Sequence, residues 1–325
     1  TFGFPPDLTR LIAEERGVDI DDAGYKTHME AQRAAGRAAW RGSGSEQADM
    51  IYVDLASKGD TQFTGYENLE DSAAITGLVR DGNTVEALSA GQQGEVIVAQ
   101  TPFYAESGGQ MGDSGAIQVG DARFRVTDTQ SPVPGLVVHS GTVEEGEVRA
   151  GSLATLSVDA QARSGSGRNH TATHLLHAAL RTVLGDHVTQ KGSLVGPDRL
   201  RFDFSHFQSV TAEELRRVED FVYSAILDNH RVDTEVMGID DAKAAGAIAF
   251  FGEKYGDDVR VVRVADRSME LCGGTHVRQT GDIGFFRILS EGGISSSVRR
   301  IEAQTGTGAM QVTRELSQAA NSAAG

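Results

Sequence analysis

Between Thr61 and about Ala160 the apolar positions gather in six short β-rich runs: AITGLVR, EVIVAQTPFY, GAIQVG, ARFRVTDT, GLVVHSGTV and SLATLSV. Gly, Asp and Asn separate them. Six short strands at this spacing predict a small β-barrel. From Arg168 the period changes. It predicts a helix to about Gly185, strands at VTQKGSLV and RLRFDFSH, a helix over TAEELRRVEDFVYSAILDNH, and strands at VRVVRV and DIGFFRIL. That mixture is an α+β unit. Upstream, Asp7 caps LTRLIAEER, Gly17 ends it, and DDAGYKTHMEAQRAAGRAAWR predicts a second helical piece. GSGSE, residues 42–46, reads as a linker. The expected class is therefore α+β. Its predicted parts are a helical tail (1–45), a barrel (60–160), an α+β domain (161–305) and the start of a C-terminal helix (306–325).

Advancing about 100° per residue along the central helix gathers Ala172, Leu175, Leu176, Ala179, Leu180, Val183 and Leu184 on one side. His170, His174 and His177 gather on the opposite side, so the pattern places them off the core. Histidines at i and i+4 aim two imidazoles at one ion, as in HExxH proteases. Here the motif is HTATH, which lacks the glutamate a metalloprotease uses as its base. About a hundred residues later ELCGGTHV offers Cys272 and His276, and Cys272 is the chain's only cysteine. Three nitrogens and a sulfur match the tetrahedral preference of zinc. The glycines of CGG let the backbone turn and bring Cys272 and His276 to one centre; an ordinary tight turn with a small buried cysteine is the plainer reading. By spacing alone His177 is a further ligand candidate. With four ligands already present, it is read as supporting the site or lying on the surface.

Charge and composition narrow the function classes. The chain has 325 residues and a net charge of −16, against a protein that holds nucleic acid by bulk electrostatics. Locally the balance reverses: Arg163, Arg168, Arg181, Lys191, Arg199 and Arg201 face only Asp186, Asp198 and Asp203, with Arg299 and Arg300 further on. A single cysteine permits no internal disulfide and suits a reducing cytoplasm. No apolar run approaches the roughly 20 residues that span a bilayer, so no membrane is expected. Thr1 stands where a Met would begin a protein, and TFGFPPDLTRLIAEERG reads as mid-protein sequence. The expectation is a piece of a longer protein.

RNHTATHLLHAALR together with ELCGGTHV resembles the editing domain of alanyl-tRNA synthetases, shared in reduced form with freestanding editing proteins and threonyl-tRNA synthetases. TQFTGYENL, FYAESGGQMGDSG, FGEKYGDDVRVV and GGISSSVRRIEAQTG extend the resemblance over nearly the whole chain. FPPDLTRLIAEERG and the helix after it resemble the end of the tRNA-recognition region, which freestanding editors lack. The resemblance implies a parent enzyme that joins alanine to tRNA(Ala) with ATP, whose catalytic core and C-terminal domain lie outside this sequence. Oligomerisation would run through that C-terminal domain. For this chain it implies hydrolysis of tRNA(Ala) whose acceptor end carries serine or glycine. Alanine and glycine differ by one methyl, too little for a single binding step, so a second site must remove errors.

Carried over by position, the resemblance assigns Zn2+ to His170, His174, Cys272 and His276, and the editing pocket to Thr173 and Gln190. Thr173 offers a hydroxyl beside His174; alternatively it only bonds a backbone carbonyl. Gln190 offers a donor and an acceptor suited to an ester or an amine. Arg168 is a candidate for the terminal adenosine or a phosphate. ESGGQMGDSG lacks the GK[ST] ending of a phosphate-binding loop, so Gly108 and Gly109 are read either as permitting a tight loop near the pocket or the acceptor end, or as a purely structural turn. With four protein ligands the open position of a catalytic zinc disappears: either water replaces one ligand, or the metal orients the substrate. The competing class is a zinc-stapled RNA-binding or assembly module. The two readings divide on whether Thr173 and Gln190 meet the metal residues in an accessible pocket.

Overall fold

The computed structural model describes residues 46–249 and 256–324, together with Gly24. The predicted helical tail (1–45) therefore lies outside the described residues but for Gly24. Its linker contributes only Glu46, which begins helix α1 (Glu46–Ala56).

Six main strands follow: β1 (Glu70–Arg80), β2 (Gln93–Val98), β3 (Gly115–Val119), β4 (Ala122–Gln130), β5 (Val138–Glu145) and β6 (Leu153–Val158). They pair antiparallel in the order β6-β3-β4-β5-β2-β1, and β1 pairs again with β6 through Leu156 and Asp71, closing the predicted barrel. Burial alternates most cleanly along β4. In β4 Ala122, Phe124 and Val126 are buried while Arg123, Arg125 and Thr127 are exposed. Phe103, Ile117, Phe124 and Leu156 fill the interior, each worth roughly 1.5–3 kcal/mol of apolar burial. Helix α1 lays Leu55 against Val79, Ile97 and Val138 on the barrel wall. Gly77 makes room, since a Cβ there would lie 2.8 Å from Leu55 Cδ2.

The second unit is built on helix α2 (Ala160–Leu184), which starts eight residues before the predicted Arg168. Asp159 causes the early start: its carboxylate accepts the backbone N–H groups of Gln161 and Ala162. Gly165 and Gly167 lie inside this first stretch, where poor helix propensity is outweighed by close packing. Gly165 sits on the Pro197 carbonyl, and a Cβ at Gly167 would meet the His276 backbone at 3.4 Å.

Strands β7 (Gln190–Val195) and β8 (Leu200–Ser205) precede helix α3 (Ala212–Asp228), which Thr211 and Glu214 cap reciprocally. Then come β9 (Val232–Gly238), α4 (Ile239–Ala244), β10 (Asp258–Val264), β11 (Ser268–Leu271), β12 (Phe286–Ser295), β13 (Val298–Thr305) and α5 (Gly306–Ala324). One antiparallel sheet has the order β7-β8-β13-β12 and another β9-β10-β11. The apolar stripe of α2 meets α3 and the first sheet in one core containing Leu175, Leu176, Leu180, Phe202, Val218 and Ile301. Among the described residues no helix is long and apolar enough to cross a membrane.

Candidate metal centre

Helix α2 presents His170 and His174 one turn apart, and the turn after β11 presents Cys272 and His276. The four donor atoms lie within 4.8 Å of one another. Cys272 Sγ is 3.3 Å from His170 Nε2 and 3.3 Å from His276 Nε2. The His170 ring is centred 5.3 Å from His174 and 4.4 Å from His276. Gly274 is what allows this closeness, because any Cβ there would overlap the His170 ring.

The hydrogen bonds behind the cluster assign the tautomers of His170 and His276. Gln110 Oε1 accepts the Thr275 N–H at 2.9 Å, which identifies that atom as oxygen, and it also lies 2.7 Å from His170 Nδ1. An oxygen acceptor requires Nδ1 to carry the proton, so Nε2 keeps its lone pair on the Cys272 side. Thr171 Oγ1 donates to the Gly167 carbonyl at 3.0 Å and therefore accepts from His276 Nδ1 at 3.1 Å. His174 Nδ1 lies 3.1 Å from Glu270 Oε2. His170 and His276 thus turn Nδ1 to a fixed acceptor and leave Nε2 on the Cys272 side, the arrangement found behind metal-ligating histidines, while His174 Nδ1 stands at ion-pair distance from Glu270 without a hydrogen bond to it.

Electrostatics agree. Burial pushes His170 and His276 well below the ordinary imidazole value, and neighbouring imidazoles and the Arg260 guanidinium push the same way. His174 is lowered by burial despite the opposing pull of Glu270. Neutral imidazoles are the form that binds metal. Burial raises Glu270, but His174 and His177 outweigh it and hold the carboxyl below its usual range. The donor set, imidazole nitrogens with one thiolate sulfur, fits a tetrahedral metal site.

The histidine face of α2 is not solvent-facing. His170, His174 and His177 stand opposite the apolar stripe and are 5%, 3% and 2% exposed, so the surface alternative for His177 does not hold. The opposite face of α2 is roofed by Glu270 and the CGGTH turn. His177 bonds Glu270 Oε1 through Nδ1 at 2.8 Å and stands outside the four-donor cluster. It shares with His174 the carboxylate that holds it.

Beside the cluster opens a cavity of about 250 Å³, lined by His170, His174 and Cys272 together with Thr173, Gln190, Gly108, Ser193, Tyr104, Asp258 and Arg260. Thr173 and Gln190 thus share one accessible space with three of the metal residues. Thr173 Oγ1 donates to the Asn169 carbonyl at 2.8 Å, which commits its proton and leaves its lone pairs. Gly108 lines the cavity. Gly109, at φ +84°, brings its loop onto β7, where a Cβ would sit 2.7 Å from Ser193 O. Arg168 does not line the cavity: it bonds Ser164 Oγ at 2.7 Å and lies against Gly306. Most of the basic excess nearby is likewise spent within the fold. Arg163 is buried on Asp113, Arg181 pairs with Asp186, Arg299 with Glu291 and Arg300 with Asp203.

Four further residues of the site lie inside the motifs, and no spacing rule singles them out. Gln110 bonds His170, and Glu270 bonds His177 while facing His174 at 3.1 Å. Arg260 donates to the carbonyls of Cys272 and Gly274 at 2.8 and 2.9 Å while stacking on Tyr66 at 4.2 Å. Tyr66 itself donates to the Gly273 carbonyl at 2.6 Å. Their only sequence signal is membership of TQFTGYENL, ESGGQMGDSG, DDVRVV and ELCGGTHV.

Comparison with known proteins adds independent findings. Residues 1–162 match the family model of class II (A) tRNA synthetases, and residues 259–302 match the second additional domain of threonyl and alanyl tRNA synthetases. The helix bearing His170 and His174 falls almost wholly between the two matches. The chain is 51% identical over its whole length to an alanine–tRNA ligase of Acidithiobacillus ferridurans, covering 37% of that protein. It is 50% identical over 95% of its length to one of Rhodopseudomonas palustris, covering 36%. A ligase of Bradyrhizobium diazoefficiens is 48% identical across the whole chain, 38% of its own length. The chain therefore spans somewhat over a third of the curated relatives it matches.

Proposed function

The chain belongs to the alanyl-tRNA synthetase family, and from that premise we propose that its α+β unit removes wrong amino acids from tRNA(Ala). In this reading residues 60–160 form a barrel subdomain, residues 161–305 the editing domain, and the longer parent joins alanine to tRNA(Ala) with ATP in the cytoplasm. The substrates are the acceptor ends of Ser-tRNA(Ala) and Gly-tRNA(Ala). Water adds to the ester carbonyl carbon, the bond from that carbon to the terminal ribose oxygen breaks, and the ribose oxygen takes a proton.

The observation that carries this reading is the shared cavity, in which Thr173 and Gln190 meet His170, His174 and Cys272. A module that used its metal only as a staple needs no such opening. His170, His174, Cys272 and His276 would hold a zinc ion, which supplies Lewis acidity beside the ester. The Thr173 oxygen, its own proton committed to Asn169, is an acceptor for a serine hydroxyl or an α-ammonium group. Gln190, which lines the same cavity, offers amide donors and a carbonyl acceptor. Gly108 leaves open space where a side chain would narrow the entrance.

The test is release of serine from Ser-tRNA(Ala) by this protein and by Cys272→Ala, with zinc content measured on both. The reading requires faster release by the parent; equal rates with zinc present in the parent alone would overturn it.

A further inference from the structure

Of two motifs of the barrel unit, TQFTGYENL and ESGGQMGDSG, the reaction just described draws only on Gly108, yet both reach the metal-binding turn. Tyr66 holds the Gly273 carbonyl. Gln110 is fully buried and makes three bonds across the boundary between the units. Its Oε1 accepts from His170 Nδ1 at 2.7 Å and from Thr275 N–H at 2.9 Å, and its Nε2 donates to Thr275 Oγ1 at 2.8 Å. One side chain from the barrel unit thus touches both arms of the four-donor cluster: the helix that carries His170 and the turn that carries Cys272 and His276.

The loop bearing Gln110 is itself fixed at both ends. Val195 N donates to the Gly109 carbonyl at 2.7 Å and Met111 N to the Val195 carbonyl at 2.9 Å, tying the loop to β7. Three residues on, Asp113 accepts the Tyr104 N–H at 2.7 Å and the Arg163 Nε at 2.9 Å in a buried ion pair. Gln110 cannot follow His170 if the ring turns. A glutamine used only for packing would not need a loop pinned on both sides of it.

We propose that Gln110 is a positioning residue for the metal: its carbonyl oxygen fixes His170 as the Nδ1–H tautomer, and its bonds to Thr275 set the distance between the helix and the turn. The barrel unit thereby sets metal affinity in the neighbouring unit. This rests on the metal-binding part of the function proposed above and not on hydrolysis, so its test reads the metal.

Zinc affinity is measured by competition with a chelator, and the visible spectrum of the cobalt-substituted protein is recorded, for the parent, Gln110→Leu and Gln110→Glu. Leucine keeps the bulk and removes every bond; glutamate keeps an oxygen facing both His170 Nδ1 and Thr275 N–H. Gln110→Leu is expected to lose about 10–100-fold in affinity with a changed cobalt spectrum, and Gln110→Glu to restore both. Unchanged affinity and spectrum in Gln110→Leu, or equal losses in both variants, would overturn the proposal. Should Gln110→Leu fail to fold, nitrogen-15 resonances of His170 in the zinc-loaded parent decide it. A proton on Nδ1 with metal on Nε2 supports the proposal, and the reverse refutes it. Loss of serine release with intact metal binding would count against the proposed function and leave this inference standing.

Discussion

Gly274 shows how much of the site depends on an atom that is not there. A Cβ at this position would overlap the His170 ring and crowd Gln110 Oε1, 2.8 Å away. Gly274→Ala should therefore weaken zinc binding by at least about tenfold, read by chelator competition, while the far-UV spectrum stays that of the parent. Parental affinity would show that the ring has room to move. His139 carries a different prediction. It is fully buried beneath the barrel wall, with Nδ1 donating to the Val96 carbonyl at 2.9 Å and Nε2 facing Thr101 Oγ1 at 2.8 Å. Burial lowers it to about 4. The unfolded chain, titrating near 6.5, binds the proton first, so this residue's contribution to stability falls as pH drops from about 6.5 to 4 and is constant above that window. The loss is roughly 3 kcal/mol. The stability difference between the parent and His139→Gln should shrink by that amount across the window in denaturant titrations; a difference independent of pH would contradict it. Residue types and spacing made the four donors legible. Gln110 and Glu270 were not, because an orienting partner is defined by what it touches across the fold and follows no spacing rule.

At the scale of elements, the six barrel strands were legible as short β-rich runs set apart by Gly, Asp and Asn; period-two burial is clean only in β4, β6 and most of β1, whereas β2 buries three residues in a row. Helix α2 was legible in its apolar half and misread in its first two turns. A stretch of QARSGSG has weak helix propensity, and only Asp159, Pro197 and the backbone of His276 explain why it is helical. The same stretch places Arg163, whose guanidinium donates to the carbonyls of Gly65 and Pro102 at 2.6 and 2.7 Å and to Asp113. It joins α2 to two loops of the barrel unit from inside. Removing one partner strands a buried charge, which costs about 3–5 kcal/mol. Arg163→Met should therefore lower the midpoint of thermal unfolding by several degrees and loosen the loop that carries Gln110. An unchanged midpoint would mean the pair is not part of what holds the two units together.

At the scale of the whole molecule, a net charge of −16 sits on a protein whose family acts on a polyanion. The local basic excess read from the sequence is mostly consumed by Asp113, Asp186, Asp203 and Glu291, and the arginine that lines the cavity, Arg260, comes from a different stretch of chain. Contact ordering thus matters more than composition here: carboxylates distant in sequence neutralise arginines that look unopposed along the chain. The architecture instead concentrates chemistry where three parts meet: helix α2, the turn after β11, and the loops of the barrel unit. The most direct measurement of the central claim is single-turnover release of serine from Ser-tRNA(Ala) by zinc-loaded parent protein, against Cys272→Ala and Thr173→Val. The account predicts release by the parent, loss of release together with zinc in Cys272→Ala, and slowed release with zinc retained in Thr173→Val. Serine release by all three at one rate would contradict it.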